Sequence, residues 1–175
     1  MLPDWFKTSF LELGEDLYEA NANKRGLIIY FGRHDCPYCK AQLETNWGQP
    51  DIITYTRAHF DVVAIDVLGN RQLTDFGGNT QTEKAFATRH EANFTPSLFF
   101  YDRRGKLALK ISGYRPPYQF RAALEYVADL HHDKEEFHHY MARAEAAYSY
   151  GQDSLNEHPD FRPPSRLARR HTGKN

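Results

Sequence analysis

At 175 residues the chain has the length of one domain with extensions, and 41% hydrophobic content with 12 Phe and 11 Tyr suffices for a core of ordinary size. A formal net charge of −1 gives no global attraction to nucleic acid or to an acidic partner. No apolar run approaches the ~18 residues of a membrane span, and Met1-Leu2-Pro3-Asp4 leads into an amphipathic segment rather than a signal peptide.

Asp4 to Asn23 is predicted as a helix capped by Asp4, with Phe6, Phe10, Leu13 and Leu17 forming one apolar stripe that packs on the domain. Asn21-Ala22-Asn23-Lys24-Arg25-Gly26 ends it. The continuous apolar run from Gly26 to Phe31 reads as a strand buried on both faces.

His34-Asp35-Cys36-Pro37-Tyr38-Cys39-Lys40 follows and holds the only two cysteines of the chain. A strand before it and a helix after it put Cys36 at a helix N-terminus, where free N–H groups and the macrodipole favour a thiolate. Pro37 suits the first helical position, where its missing N–H has no intrahelical partner. Cys39 falls one turn on, on the same face and within reach of the Cys36 sulfur. A structural zinc site needs four ligands, and no second Cys-x-x-Cys or close His pair follows at finger spacing. A purely structural disulfide across so short a loop closes little chain entropy. The pattern therefore points to a dithiol/disulfide switch, which is compatible with the cytosol or the periplasm.

The helix is expected to break around Trp47-Gly48-Gln49-Pro50 and restart at Asp51, with Ile52, Ile53 and Tyr55. Phe60 to Val67 reads as a second buried strand, parallel to the first through a right-handed crossover. Leu68 to Asn79 reads as a small hairpin or Ω-type loop. Thr80-Gln81-Thr82-Glu83 has the form of a capping box for a helix through Ala85, Phe86 and His90. Asn93-Phe94-Thr95-Pro96-Ser97 leads into Leu98-Phe99-Phe100-Tyr101, and Asp102-Arg103-Arg104-Gly105 turns that strand back through Lys106 to Ile111. A helix bearing Phe120, Leu124 and Val127 follows Pro116-Pro117. A further helix carries Phe137, Tyr140, Met141, Ala144 and Tyr148, and from Gly151 the chain reads as a polar, basic, mobile tail.

From about Gly26 to Leu130 this order resembles the thioredoxin superfamily: strand, Cys36-x-x-Cys39 helix, strand, helix, Thr95-Pro96, hairpin, closing helix. The resemblance implies an α/β thioredoxin-like fold, a central mixed β-sheet flanked by helices, with an N-terminal helix and a C-terminal helical extension. The implied divisions are 1–25, 26–131 with an insertion near 68–80, 132–150 and 151–175. In that family the residue at Pro96 is a cis-proline beside the dithiol, which implies a cis Thr95–Pro96 bond. Within the superfamily the chain is similar to the SoxW-type thioredoxin-related proteins of the periplasm. The carrying residues are Cys36-Pro37-Tyr38-Cys39-Lys40, Asp66 through Leu73-Thr74-Asp75-Phe76, Thr82-Glu83-Lys84, Thr95-Pro96-Ser97, and Gly113-Tyr114 before Pro116-Pro117.

The resemblance implies a reductase of protein disulfides in the periplasm. Its Cys36–Cys39 disulfide is the only redox group, with no metal, and a membrane thiol donor recharges it. Cys36 is the implied nucleophile and Cys39 the resolving thiol. Pro37, Tyr38, Thr95 and Pro96 shape the site, and Phe94, Tyr38 and Tyr114 form either an apolar rim or ordinary packing. Three departures stand out. Cys-Pro-Tyr-Cys is the dithiol of glutaredoxins, but the Gly-Gly turn of a glutathione site is absent after Pro96. Tyr30 stands where ordinary thioredoxins place a buried Asp, leaving His34 or Asp35 as candidate acid–base groups. Asp35 replaces the family Trp, and its carboxylate opposes the thiolate that the helix terminus favours.

Two alternatives stay open. A disulfide oxidase or isomerase shares this geometry; Pro-Tyr between the cysteines resembles more oxidising relatives, and the C-terminal extension offers a dimerisation module. A metal-binding or scaffold protein would use His132, Glu135 or Glu136, and His139 on one helical face. Export and oligomeric state are left open.

Overall fold

The apolar run after Arg25 forms strand β1 (Gly26–Gly32), with all seven residues buried. A computed structural model describes residues 1–152, with side chains described through Glu145. Tyr148 and, from 153 onward, the expected tail lie outside these limits. β1 pairs in parallel with β2 (Phe60–Asp66), from Gly26↔Phe60 to Gly32↔Asp66. On its other side it pairs antiparallel with β5 (Ser97–Tyr101), which is followed at the far edge by β6 (Leu107–Ser112). The mixed sheet thus has the order β2-β1-β5-β6.

Side chains along β1 alternate between two cores. Leu27, Ile29 and Phe31 pack with Val63, Ile65 and Phe99 against helix α1 (Leu13–Ala22) and helix α4 (Glu83–Arg89). Ile28 and Tyr30 pack with Phe60, Val62 and Phe100 on the opposite face. That face is covered by α2 (Pro37–Ala41), α3 (Pro50–His59), α5 (Pro117–Ala128) and α6 (Phe137–Gln152). The fold expected from the sequence is present, and both faces of the sheet must be covered because β1 is apolar throughout.

The N-terminal segment differs from its expected form. The helix begins at Leu13, not Asp4, because the chain before it is tied to the sheet. The Lys7 N–H donates to the Val62 carbonyl at 2.8 Å, and Leu11 takes a φ of 61°. Ser9 Oγ accepts the Leu11 N–H and donates to the Asp16 carboxylate, a local bond that competes with helix. Phe6 reaches the core from a turn closed by its N–H to the Pro3 carbonyl, while Phe10 is 88% exposed.

The capping box is also displaced. Thr80 pairs in a two-stranded ribbon, β3 (Gln72–Thr74) with β4 (Thr80–Thr82). The cap of α4 is Thr82, whose hydroxyl accepts the Ala85 N–H at 3.1 Å. Glu83 is buried and serves the insertion instead. Its carboxylate accepts the Asp66 N–H and pairs with the Arg71 guanidinium, both at 2.9 Å.

The His/Glu cluster does not share one helical face. Residues His131–Asp133 form a 3₁₀ turn after Leu130, and α6 starts only at Phe137. His132 Nε2 lies 2.8 Å from the Asp102 carboxylate, and Glu135 pairs with Arg143. Among the described residues, no group of three or more His, Cys, Asp or Glu side chains is placed to hold a metal ion.

Asp102 locks the β5–β6 turn to this extension. Burial alone would raise its pKa. Hydrogen bonds from the Arg104 guanidinium, the Lys106 and Arg104 amides and His132 overcome that and bring it to about 2. A folded-state pKa below the unfolded one adds stability that is present above about pH 4 and lost as pH falls through 2. Asp102→Asn should therefore lower unfolding free energy by about 2 kcal/mol at neutral pH, and by much less near pH 2. Urea melts of both proteins at the two pH values check this.

Candidate active site

β1 ends at Gly32, and the chain reverses at Asp35, whose φ of 47° is left-handed backbone that Asp adopts more readily than most side chains. The reversal makes Cys36 the N-cap of α2, in extended conformation, with Pro37 in the first turn. Cys36 and Cys39 are joined in a disulfide with Cα atoms 5.1 Å apart. Cys36 is half-buried and Cys39 only 3% exposed, so one residue of the pair reaches the surface and the other lies behind it. The Cys39 N–H donates to Cys36 Sγ at 3.1 Å. In the reduced protein the same amide stabilises a Cys36 thiolate, and so do the free N–H groups of the helix start.

The segment before β5 meets the Cys36 sulfur from the other side. Thr95 Oγ1 lies 3.3 Å from Sγ and the Thr95 carbonyl oxygen 3.7 Å. The Thr95–Pro96 peptide bond is cis. Tyr38 is exposed and stacks on Tyr114, with centroids 6.2 Å apart and ring planes 17° apart. Phe94 is 65% exposed beside the turn at Gly113. Tyr38 thus lies between the two cysteines and Phe94 directly precedes Thr95, while Tyr114 joins them by its stack on Tyr38. His34 and Asp35 are both exposed, and neither is a hydrogen-bond partner of the sulfurs.

Sequence reasoning missed the buried polar support behind this rim. α2 runs on through a π-helical turn, Gln42–Asn46. Asn46, fully buried, donates to Gln42 Oε1 and to the Arg115 carbonyl, both at 2.9 Å. It also accepts from the Tyr114 hydroxyl at 3.4 Å. These bonds tie the loop carrying Tyr114 to the helix carrying the dithiol. No spacing marks Asn46, because its two loop partners, Tyr114 and Arg115, lie 68 and 69 residues away.

Beside the dithiol lies a cleft of about 1000 Å³ whose lining includes Tyr30, Cys36, Cys39, Ala64 and Asp66. Tyr30 is 3% exposed, and burial pushes its phenol up to about 12, so it is neutral at ordinary pH. Its hydroxyl fills the space over Gly32, where an added Cβ would come 2.3 Å from the oxygen. Gly32→Ala should cost about 1–3 kcal/mol, by overpacking, in a chemical melt.

A family model described as a thioredoxin-like domain matches residues 13–128. The chain belongs to the thioredoxin-like family. A thioredoxin-fold protein from Helicobacter pylori superposes on it with a TM-score of 0.61 at 20% identity, covering 82% of this chain and 97% of that one. A thioredoxin from Thermus thermophilus superposes with a TM-score of 0.56 at 24% identity, covering 79% and 97%. At these identities the neighbours speak to the fold. No curated protein sequence matches the chain significantly. A Cys-x-x-Cys disulfide at the start of the helix that follows β1 of a thioredoxin-like domain is the equipment of a thiol–disulfide oxidoreductase, and this thioredoxin-like protein carries it at Cys36 and Cys39.

Proposed function

We propose that this thioredoxin-like protein reduces disulfides in other proteins. The observation that carries the reading is the asymmetry of the pair. Cys36 is half-exposed at a helix start and edged by Thr95, while Cys39 is buried one turn behind. Cys36 attacks a substrate sulfur as thiolate and forms a mixed disulfide, which Cys39 resolves. The substrate leaves as two thiols, and the protein is left with the Cys36–Cys39 disulfide. Thr95 offers its backbone to the substrate strand, and Tyr38, Phe94 and Tyr114 supply an apolar rim around the reacting sulfur. The site residues Pro37 and Pro96 hold the helix start and the facing loop.

Similarity to SoxW-type proteins supports a periplasmic setting, with a membrane thiol donor recharging the dithiol and no nucleic acid involved. No helix among the described residues is long and apolar enough to cross a membrane. His34 and Asp35 stand exposed at the cleft rim and are the candidate acid–base groups of this reading.

Direction of electron flow is tested by the reduction potential of the pair, titrated against dithiothreitol or glutathione buffers. A value near about −270 mV supports the reductase. A value between about −180 and −120 mV, the range of isomerases and oxidants, overturns it.

A further inference from the structure

Resolution of a mixed disulfide needs a proton to leave Cys39, and the Cys39 sulfur is buried. The cleft is the way out, since Cys39 lines it. The titratable groups that also line it besides Tyr30 and the dithiol, Asp35, Glu44, Asp66, His34 and Lys40 among them, all stand on its exposed rim. The buried wall consists of Tyr30, Gly32, Cys39 and Ile65. Tyr30 is the one residue of that wall, besides the thiol itself, whose side chain can carry a proton.

The hydroxyl is aimed at the right end of the strand. The phenol oxygen sits beside Gly32, the last residue of β1 and the last before the turn into Cys36. Ala64, directly across the ladder from Tyr30, is too small to screen the ring from the cleft. The ring packs in the same apolar cluster as Cys39 and is held edge-on by Phe6 at 6.0 Å and Trp47 at 6.2 Å. Among the described residues the hydroxyl has no hydrogen-bond partner, so both its donor and its acceptor functions are available.

We infer that the Tyr30 hydroxyl relays the proton between Cys39 and the cleft when Cys39 resolves a mixed disulfide. The inference rests on the oxidoreductase reading above. The phenol oxygen accepts the Cys39 S–H proton while its own O–H proton passes to cleft water and on to the rim. The Cys39 sulfur then bonds to Cys36 Sγ, the bond from Cys36 to the substrate sulfur breaks, and the substrate leaves as a thiolate that takes up a proton. The protein dithiol is oxidised by two electrons and the substrate disulfide reduced by two. Because burial keeps the phenol protonated at ordinary pH, it passes protons as a neutral bridge and does not remove one as a standing base.

The test mixes the reduced full chain with a nitrobenzoate disulfide whose released thiolate absorbs visible light. The first equivalent reports attack by Cys36 and the second reports resolution by Cys39. Tyr30→Phe keeps the ring and removes the hydroxyl. We expect its first phase unchanged and its second slowed about tenfold or more at neutral pH, the low end of what a positioned proton carrier supplies. The deficit should shrink at alkaline pH, where hydroxide takes the proton directly, a trend that a packing defect would not produce. An unchanged second phase, or equal slowing of both phases, overturns the relay. If the unsubstituted protein releases no first equivalent, the oxidoreductase reading itself falls, and the relay with it.

Discussion

Cys36→Ser will abolish turnover of a protein disulfide, by more than about a thousandfold, without unfolding the protein. Removing the nucleophile of a group that acts as a unit removes nearly all of its catalysis. A serine hydroxyl at a helix start stays protonated at neutral pH and does not open a disulfide. The fold should tolerate the change because Cys36 is half-exposed and leaves no cavity. The lost disulfide spans three residues, a loop whose closure restrains the unfolded chain little. Cys39→Ser separates the two roles. Attack by Cys36 persists, but the mixed disulfide has no resolving thiol and accumulates as an adduct visible by intact mass. Turnover in dithiothreitol, circular dichroism and mass spectrometry together check the pair of variants. Turnover by Cys36→Ser above a tenth of the unsubstituted rate would sink the assignment, and so would a Cys39→Ser protein that forms no adduct.

The parts of this site that the sequence makes legible are those set by neighbours along the chain. Leu27 to Phe31 is apolar without a break because both faces of β1 are covered, and Cys36-Pro37 reads as a helix start because Pro needs no N–H partner there. Legibility ends where a distant partner decides. Phe6 and Phe10 fit a helical stripe, yet the chain turns at Pro3–Phe6 and the Val62 carbonyl then ties Lys7 to the edge of the sheet. Glu83 sits where a capping box would use it, but the Asp66 amide and Arg71 claim its carboxylate. The His pairs near residue 132 look like one charged helix face until Asp102, thirty residues back, fixes His132 in a turn. In each case a charge-assisted or backbone hydrogen bond formed in the folded state outweighs a local preference of a few tenths to about 1 kcal/mol. Tyr30 is a different case. Its position in a buried strand is legible, but the opening of its hydroxyl onto the Cys39 cleft depends on Gly32 and Ala64, two small residues whose effect appears only once the strands pair.

Trp47→Ala will be the most destabilising of these substitutions, by about 3–5 kcal/mol. Trp47 is 2% exposed, at the point where four elements meet. Its ring packs edge-on to Phe6 and Phe120, both at 5.2 Å, to Trp5 at 5.7 Å and to Tyr30 at 6.2 Å. Its indole N–H donates to Thr56 Oγ1 at 3.1 Å, and that hydroxyl donates to the Ile52 carbonyl at 2.8 Å. Truncation removes the transfer energy of a large ring and leaves a void that aromatic neighbours from separate segments cannot close together. For a chain of this size the melting temperature should fall by roughly 10 °C, at about 2–4 °C per kcal/mol. Trp47→Phe divides the effect, since it keeps most of the volume and leaves the Thr56 oxygen without its donor, a loss of about 1–3 kcal/mol. The ring also fixes Tyr30 from behind, so Trp47→Ala should slow resolution by Cys39 even at temperatures where the protein stays folded. A Trp47→Ala protein that loses under 1 kcal/mol would mean that the aromatic cluster closes over the gap. The floor beneath the dithiol would then be held by the sheet alone.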